Sequence, residues 1–281
     1  MRTAVITIVR GRAAHLRRQL AGLSAGRRRP DLHLVVAIGD PSVRDTVAGA
    51  DRTRVLDCAT GPGPLPLARA RNLGARAALA DGADLLIFLD VDCIPARRLI
   101  DRYAEVAAAP AHSGALLCGP VAYLPPPGPA GYPLDDLAGL AAPHPARPAP
   151  GPDEVLTGTD HRLFWSLSFA TTAATWNRIG GFCERYRGYG GEDTDFGQTA
   201  ATSGVPLRWV GGAAAFHQYH PVSDPPVEHI DDILRNADIF EQRWGWWPMA
   251  GWLQAFEERG LIRRDADGRP HRIGAGAEIA R

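Results

Sequence analysis

Two aspartates stand two residues apart in Asp90-Val91-Asp92, directly after the apolar run Asp84-Leu85-Leu86-Ile87-Phe88-Leu89. Alternate side chains of an extended chain point the same way, so Val91 turns back into the protein and both carboxylates share a face. Like charges at the end of a buried strand repel and call for compensation. A hard divalent cation, Mn²⁺ or Mg²⁺, supplies it through carboxylate oxygens, with phosphate oxygens completing its shell. One aspartate can hold the cation while the other meets a ribose or the metal's water. As a bare tripeptide this spacing is common on surfaces, and the apolar run before it gives it weight.

A second acidic group lies a hundred residues on. Gly180-Gly181-Phe182-Cys183-Glu184 is followed by Gly188-Tyr189-Gly190-Gly191-Glu192-Asp193-Thr194-Asp195. Glycines let a backbone approach a ligand closely, and acids that open a helix sit at the favourable end of its dipole. A carboxylate there can take a proton from a hydroxyl. Taken alone, Glu192-Asp193 reads better as an ordinary acidic helix start behind a glycine turn. The density of glycines, acids and an aromatic ring favours a site.

These groups need a frame. Ala4–Val9 reads as a strand and Ala13–Leu23 as a helix; Leu32–Ile38 and Arg54–Cys58 read as further strands, followed by a helix over Leu67–Ala80. Asp84–Leu89, apolar at nearly every position, reads as a central parallel strand. Such βα alternation predicts an α/β fold with an open, mostly parallel sheet flanked by helices. Ligands of such sheets bind beyond the carboxyl ends of the strands, where Asp90 and Asp92 fall. Further on, Leu163–Ala170 reads as a strand, Thr172–Ile179 and Asp193–Ser203 as helices, Val205–Val210 as a strand, and Val227–Leu261 as a helical tail rich in Trp. One domain accommodates all of this: a ligand-binding half over 1–124, a Pro-rich surface excursion over 125–152, a second half carrying the acidic cluster over 153–225, and a helical extension over 226–281.

Composition removes several classes. The 31 basic and 31 acidic residues cancel, so nothing in the overall charge marks a nucleic-acid partner. Every basic residue other than histidine is Arg, since Lys is absent, which rules out a P-loop and a lysine Schiff base. Cys58, Cys93, Cys118 and Cys183 are too scattered for a zinc or redox motif and read as reduced thiols. The short apolar run at the N-terminus meets charge at Arg10, and no run approaches the roughly 18 apolar residues of a membrane span. The expected location is the cytoplasm. Gly22-Leu23-Ser24-Ala25-Gly26 matches a hydrolase elbow in pattern, but its Ser follows a helix and not a strand. Gly61-Pro62-Gly63-Pro64 begins like a dinucleotide fingerprint, but prolines interrupt it.

Taken together, Ala70-Arg71-Asn72-Leu73-Gly74-Ala75, Phe88-Leu89-Asp90-Val91-Asp92-Cys93-Ile94-Pro95, Ile179-Gly180-Gly181-Phe182 and Gly188-Tyr189-Gly190-Gly191-Glu192-Asp193-Thr194-Asp195-Phe196 resemble family 2 glycosyltransferases of the GT-A fold. The last block also resembles the galactosyltransferase-type region of β-1,4-galactosyltransferases. The likeness extends from residue 3 to about residue 221.

The resemblance implies transfer of a hexose, of galactose type or another, from a nucleotide diphosphate donor to a hydroxyl acceptor with inversion. A uridine donor and a saccharide, lipid-linked or small-molecule acceptor are expected. It gives Asp90 and Asp92 to the metal and donor, Asp193 to the general base, and Glu192 to the acceptor or donor sugar. Tyr189 stands where relatives carry an aromatic, usually Trp, for sugar stacking. His217 completes the metal set, with His220 as the alternative. The relatives' Pro-x-x-Asn-Arg segment is replaced by Ile8-Val9-Arg10-Gly11-Arg12, so Val9 backbone, Arg10 and Asp40 are expected at the nucleoside, Arg71 at the diphosphate and Gly191 at the donor. Two rival readings are a sugar nucleotidyltransferase and a non-catalytic nucleotide-sugar-binding protein. The first would need a glycine-rich basic loop that Arg10-Gly11-Arg12 only faintly offers. The tail tryptophans read as packing or as a patch for a lipid or protein acceptor at a membrane surface.

Overall fold

The structure, a computed structural model, describes residues 1–273. Its first half alternates β1 (Thr3–Val9), α1 (Ala13–Ala25), β2 (Leu32–Ile38), a single turn α2 (Val43–Thr46), β3 (Thr53–Cys58), α3 (Leu67–Ala80) and β4 (Leu85–Leu89). Then come β5 (Cys93–Pro95), α4 (Leu99–Ala108), β6 (Leu116–Cys118), β7 (Val121–Tyr123), α5 (Leu137–Leu140), β8 (Ala142–Pro143) and β9 (Val155–Gly158). The remainder is β10 (Ser168–Thr172), α6 (Ala173–Ile179), α7 (Glu192–Thr202), β11 (Leu207–Val210), β12 (Ala215–His217), α8 (Ile230–Trp244), α9 (Ala250–Glu258) and the hairpin β13 (Ile262–Arg264) and β14 (Pro270–Arg272).

Eight strands form the main sheet in the order β3-β2-β1-β4-β10-β6-β11-β9. β1 to β4 are mutually parallel, β10 runs against both β4 and β6, and β9 runs against β11. The mixed α/β architecture with a largely parallel sheet is therefore the one that the hydrophobic runs predict. β4 is buried along its whole length because both faces are covered. Leu86 and Phe88 meet the α3, α6 and α7 layer, while Leu85, Ile87 and Leu89 meet α1 and α4. On the first face Phe88 stacks on Phe169 at 4.5 Å and Phe182 on Phe196 at 4.3 Å, a block of rings that ties β4 and β10 to α7.

A second, four-stranded sheet, β5-β12-β7-β8, grows from the chain just past the two aspartates. Its register sets His217 opposite Cys93 on one side and Tyr123 on the other.

Three elements differ from their sequence-based expectation. The strand expected over Leu163–Ala170 begins only at Ser168: Asp160 caps a tight turn over His161–Leu163, and ladder pairing starts where Ser168 meets Leu89. The Pro-rich excursion carries α5 and β8, whose Ala142 pairs with Tyr123, and buries Leu137 against Ile94, Leu124 and Phe216. The tail is not continuously helical. Gly245, in the left-handed region at φ 72°, stops α8, and the chain leaves α9 to form the β13–β14 hairpin. Residues 274–281 of the expected extension lie outside the described residues.

Candidate active site

Asp90 and Asp92 occupy a tight turn between β4 and β5, closed by the Cys93 amide donating to the Asp90 carbonyl at 2.9 Å. Their side chains have different partners. Asp90 Oδ1 accepts from Arg71 Nη2 at 3.2 Å. Asp92 Oδ2 faces His217 Nε2, His220 Nε2 and Arg12 Nη1, each at 3.6 Å, and its Oδ1 is buried with no hydrogen-bond partner. Among the described residues Asp92, His217 and His220 form the one group whose potential metal-ligand atoms lie within 4.8 Å of one another. The alternative between the two histidines is thus met by a geometry in which both stand beside the aspartate.

This donor set suits a divalent cation. One carboxylate with an unpaired buried oxygen and two imidazoles is a ligand combination that Mn²⁺ accepts. Burial lowers the His217 pKa, with help from His220 and Arg12 and against the pull of Asp92, the direction that favours the neutral ring a ligand needs. Burial raises the Asp92 pKa, but His220, His217 and Arg12 outweigh it, and the carboxyl titrates below its ordinary value.

Arg71 links this region to the second acidic cluster. The side chain is 5% exposed; Nη1 donates to Glu192 Oε1 and Nη2 to Asp90 Oδ1, both at 3.2 Å. Its guanidinium also lies over the Phe182 ring at 5.3 Å. Arg71 therefore bridges Asp90, at the end of β4, and Glu192, at the start of α7. Burial pushes Asp90 up to about 6 and Glu192 up to about 7, against the pull of Arg71, and Asp193 is raised for the same first cause. Asp193 is half-buried, and its Oδ1 accepts from the Thr194 amide at 2.7 Å.

The glycines before α7 have a definite task. Gly191 precedes the helix at φ 88°, a left-handed conformation that lets the chain turn sharply and bring Glu192 and Asp193 into the first turn. Gly188, at φ 71°, lies so close to Asp232 that a Cβ would sit 1.9 Å from its carboxylate.

The remaining expected contacts fall at the rim. Val9 ends β1, and Asp40 accepts from the Gly11 amide at 2.8 Å and from Ser42, which lowers its pKa. Arg10 is exposed beside it. Tyr189 is 40% exposed, with its ring stacked on His229 at 4.6 Å and Trp252 at 5.6 Å.

Comparisons with known proteins bear on the fold that carries these residues. Residues 160–221 match a family described as the N-terminal domain of galactosyltransferase. Validoxylamine A glucosyltransferase of Streptomyces hygroscopicus subsp. limoneus is 29% identical, in an alignment covering 85% of this chain and 56% of that protein. The chain thus spans about half the length of this curated relative. Residues 1–349 of TarS from S. aureus superpose with a TM-score of 0.59 at 12% identity, over 92% of this chain and 77% of that one. The crystal structure of GalNAc-T7 with UDP, GalNAc and Mn²⁺ superposes with a TM-score of 0.56 at 17% identity, over 78% of this chain and 44% of that one.

The fold is that of the GT-A glycosyltransferases.

Two residues inside the quoted motifs, Asn72 and Asp195, have partners that the motifs do not reveal. Asn72, buried on α3, exchanges two hydrogen bonds with Phe182, donating to its carbonyl and accepting from its amide, both at 2.9 Å, and so fastens the Gly180-Gly181-Phe182 turn beside Arg71. Its place next to Arg71 in the sequence was the available signal. Asp195, the third acid of the cluster, faces away from the site. Its Oδ1 accepts from Arg243, Trp244 and Tyr186 at 2.6, 2.8 and 3.2 Å, which docks α8 onto α7. No local pattern could have paired residues so distant in sequence.

Proposed function

We propose that this chain is an inverting, cation-assisted glycosyltransferase that moves a hexose from a uridine diphosphate donor to a hydroxyl acceptor. One observation carries the reading: Arg71 bonds both Asp90 at the end of β4 and Glu192 at the start of α7, and two residues on from Asp90 the Asp92 carboxylate stands in a compact group with His217 and His220. A relative named as a glucosyltransferase and a neighbour crystallised with UDP, GalNAc and Mn²⁺ support it.

In this reading Asp92, His217 and His220 would hold the cation, which would supply positive charge to offset the departing diphosphate. Asp193 removes the acceptor's proton as the hydroxyl oxygen forms its bond to the anomeric carbon and the carbon–diphosphate bond breaks on the opposite face. The Thr194 amide fixes the plane of the Asp193 carboxylate, and burial lifts its pKa towards the range useful to a general base. Glu192, anchored on Arg71, orients a sugar hydroxyl, while Gly191 permits close approach of the donor. Val9, Arg10 and Asp40 border the nucleoside, and Tyr189 offers an aromatic edge to the acceptor.

A panel of nucleotide sugars, assayed for donor hydrolysis with Mn²⁺ and then with a chelator, tests the proposal. Cation-dependent turnover of a UDP-sugar is expected. Release of pyrophosphate would instead identify a nucleotidyltransferase, and binding without turnover a non-catalytic protein.

A further inference from the structure

Between α1 and the sheet lies a row of buried polar side chains in surroundings otherwise lined by Val, Leu and Ile. Gln19 and Thr7 are fully buried and His33 is 1% exposed. Thr7 Oγ1 donates to Gln19 Oε1 at 2.8 Å, and His33 Nε2 lies 3.2 Å from Thr7 Oγ1. With its oxygen committed to Thr7, the Gln19 amide must aim both N–H groups the other way. They reach the carbonyls of Asp90 at 2.7 Å and Cys93 at 3.0 Å.

Those two carbonyls bracket Asp92. The Asp92 carboxylate has no close tether of its own: Oδ1 is unpartnered, and Oδ2 has its nearest ionisable neighbours at 3.6 Å. Its aim is therefore set by the backbone turn that carries it. A leucine at position 19 would fit the apolar face that α1 presents through Leu16 and Leu23, without the desolvation that an amide incurs. The amide is explained by what it holds, two carbonyls at the point where the chain leaves β4, reverses and begins β5.

We infer that Gln19 is a positioning residue for Asp92, acting through the Asp90–Cys93 turn and itself oriented by Thr7. This rests on the reading of Asp92, His217 and His220 as a cation site. Loss of Gln19 removes two of the bonds that hold the turn and loosens the carboxylate relative to the two histidines. The bonds left are those from the Cys93 amide to the Asp90 carbonyl, the Gln218 amide to the Asp92 carbonyl and the Asp90 amide to the Leu167 carbonyl.

The test is Mn²⁺ titration of the full chain, followed by electron paramagnetic resonance or calorimetry, with thermal unfolding of each protein alongside. Gln19→Leu should raise the Mn²⁺ dissociation constant about 10- to 100-fold, the range seen when groups that orient metal ligands are removed. Saturating Mn²⁺ should restore most of the turnover. Thr7→Val, which keeps the volume and removes the orienting hydroxyl, should shift affinity the same way by less, and it serves if Gln19→Leu does not fold. Tyr103→Phe, which removes buried hydrogen bonds to Ser168 and Gly119, should lower the melting temperature without moving Mn²⁺ affinity. Unchanged Mn²⁺ affinity in Gln19→Leu, or in Thr7→Val where only that variant folds, overturns the inference alone. If the unsubstituted protein binds no divalent cation, the cation reading falls and the inference with it.

Discussion

Arg71 and Glu192 meet 121 residues apart in the chain, guanidinium nitrogen to carboxylate oxygen at 3.2 Å, with both side chains under a tenth exposed. The contact joins the helix that leads into β4 to the helix that carries the candidate base. Because the other Arg71 nitrogen holds Asp90, one cation offsets a buried acid and a half-buried one.

Replacing Arg71 with Met should therefore leave Glu192 buried, and Asp90 half-buried, without a counter-charge. A loss of about 3–5 kcal/mol of unfolding free energy is expected at pH 8. Urea denaturation monitored by tryptophan fluorescence measures it, and a loss below about 1 kcal/mol would show that Arg71 carries little of the site's electrostatic balance.

Glu192 gives the protein a pH dependence with a definite sign. Its pKa is about 7 in the folded chain against 4.5 ordinarily, so between these values the folded state binds the extra proton. That contribution is present in full below pH 4.5 and is lost as the pH rises through 7. Relative to Glu192→Gln, the unsubstituted protein should lose roughly 3 kcal/mol between pH 4.5 and pH 8, at about 1.4 kcal/mol per pH unit of displacement. Parallel stability curves for the two proteins would contradict the assignment.

Asp193→Asn removes a proton acceptor and little else. The turnover number should drop by about 10²- to 10⁴-fold while donor affinity stays within about twofold. Equal loss of donor binding and turnover would remove Asp193 from the role of base.

His217→Ala and His220→Ala test the proposed cation site one ligand at a time. Each should raise the Mn²⁺ concentration needed for half-maximal donor binding by about tenfold or more. A variant that binds donor at the original Mn²⁺ concentration identifies a histidine that is not a ligand.

Asp195→Ala should act at a distance from the chemistry. Arg243 and Trp244 lose a buried acceptor, at a cost of about 2–3 kcal/mol, and the α8–α9 tail loses its dock on α7. Limited proteolysis followed by mass spectrometry should show faster cleavage after residue 226; an unchanged digestion pattern would place the tail's anchorage elsewhere.

Much of the frame was legible in the residues. The boundaries of β2 and α3 coincide with the patterns that predict them, and β4 lies within one residue of its run, because each is a local pattern, an apolar run for the strands and a helical period for α3. The acids at 90, 92, 192 and 193 announced themselves by residue type and by the elements they end or begin. Tertiary structure decided which of them meet. The pairing of β12 with β5 brought His217 opposite Cys93, the turn after β12 brought His220 to the same carboxylate, and the packing of α3 brought Arg71 to Asp90. Asp195 looked like a member of the acidic cluster and became the dock for α8, while Gln19 looked like an ordinary helix position and became the support of the Asp92 turn. The physical reason is the same throughout: periodicity is fixed by neighbours in the chain, whereas partners for buried charge are chosen across distances that only strand register and helix packing set.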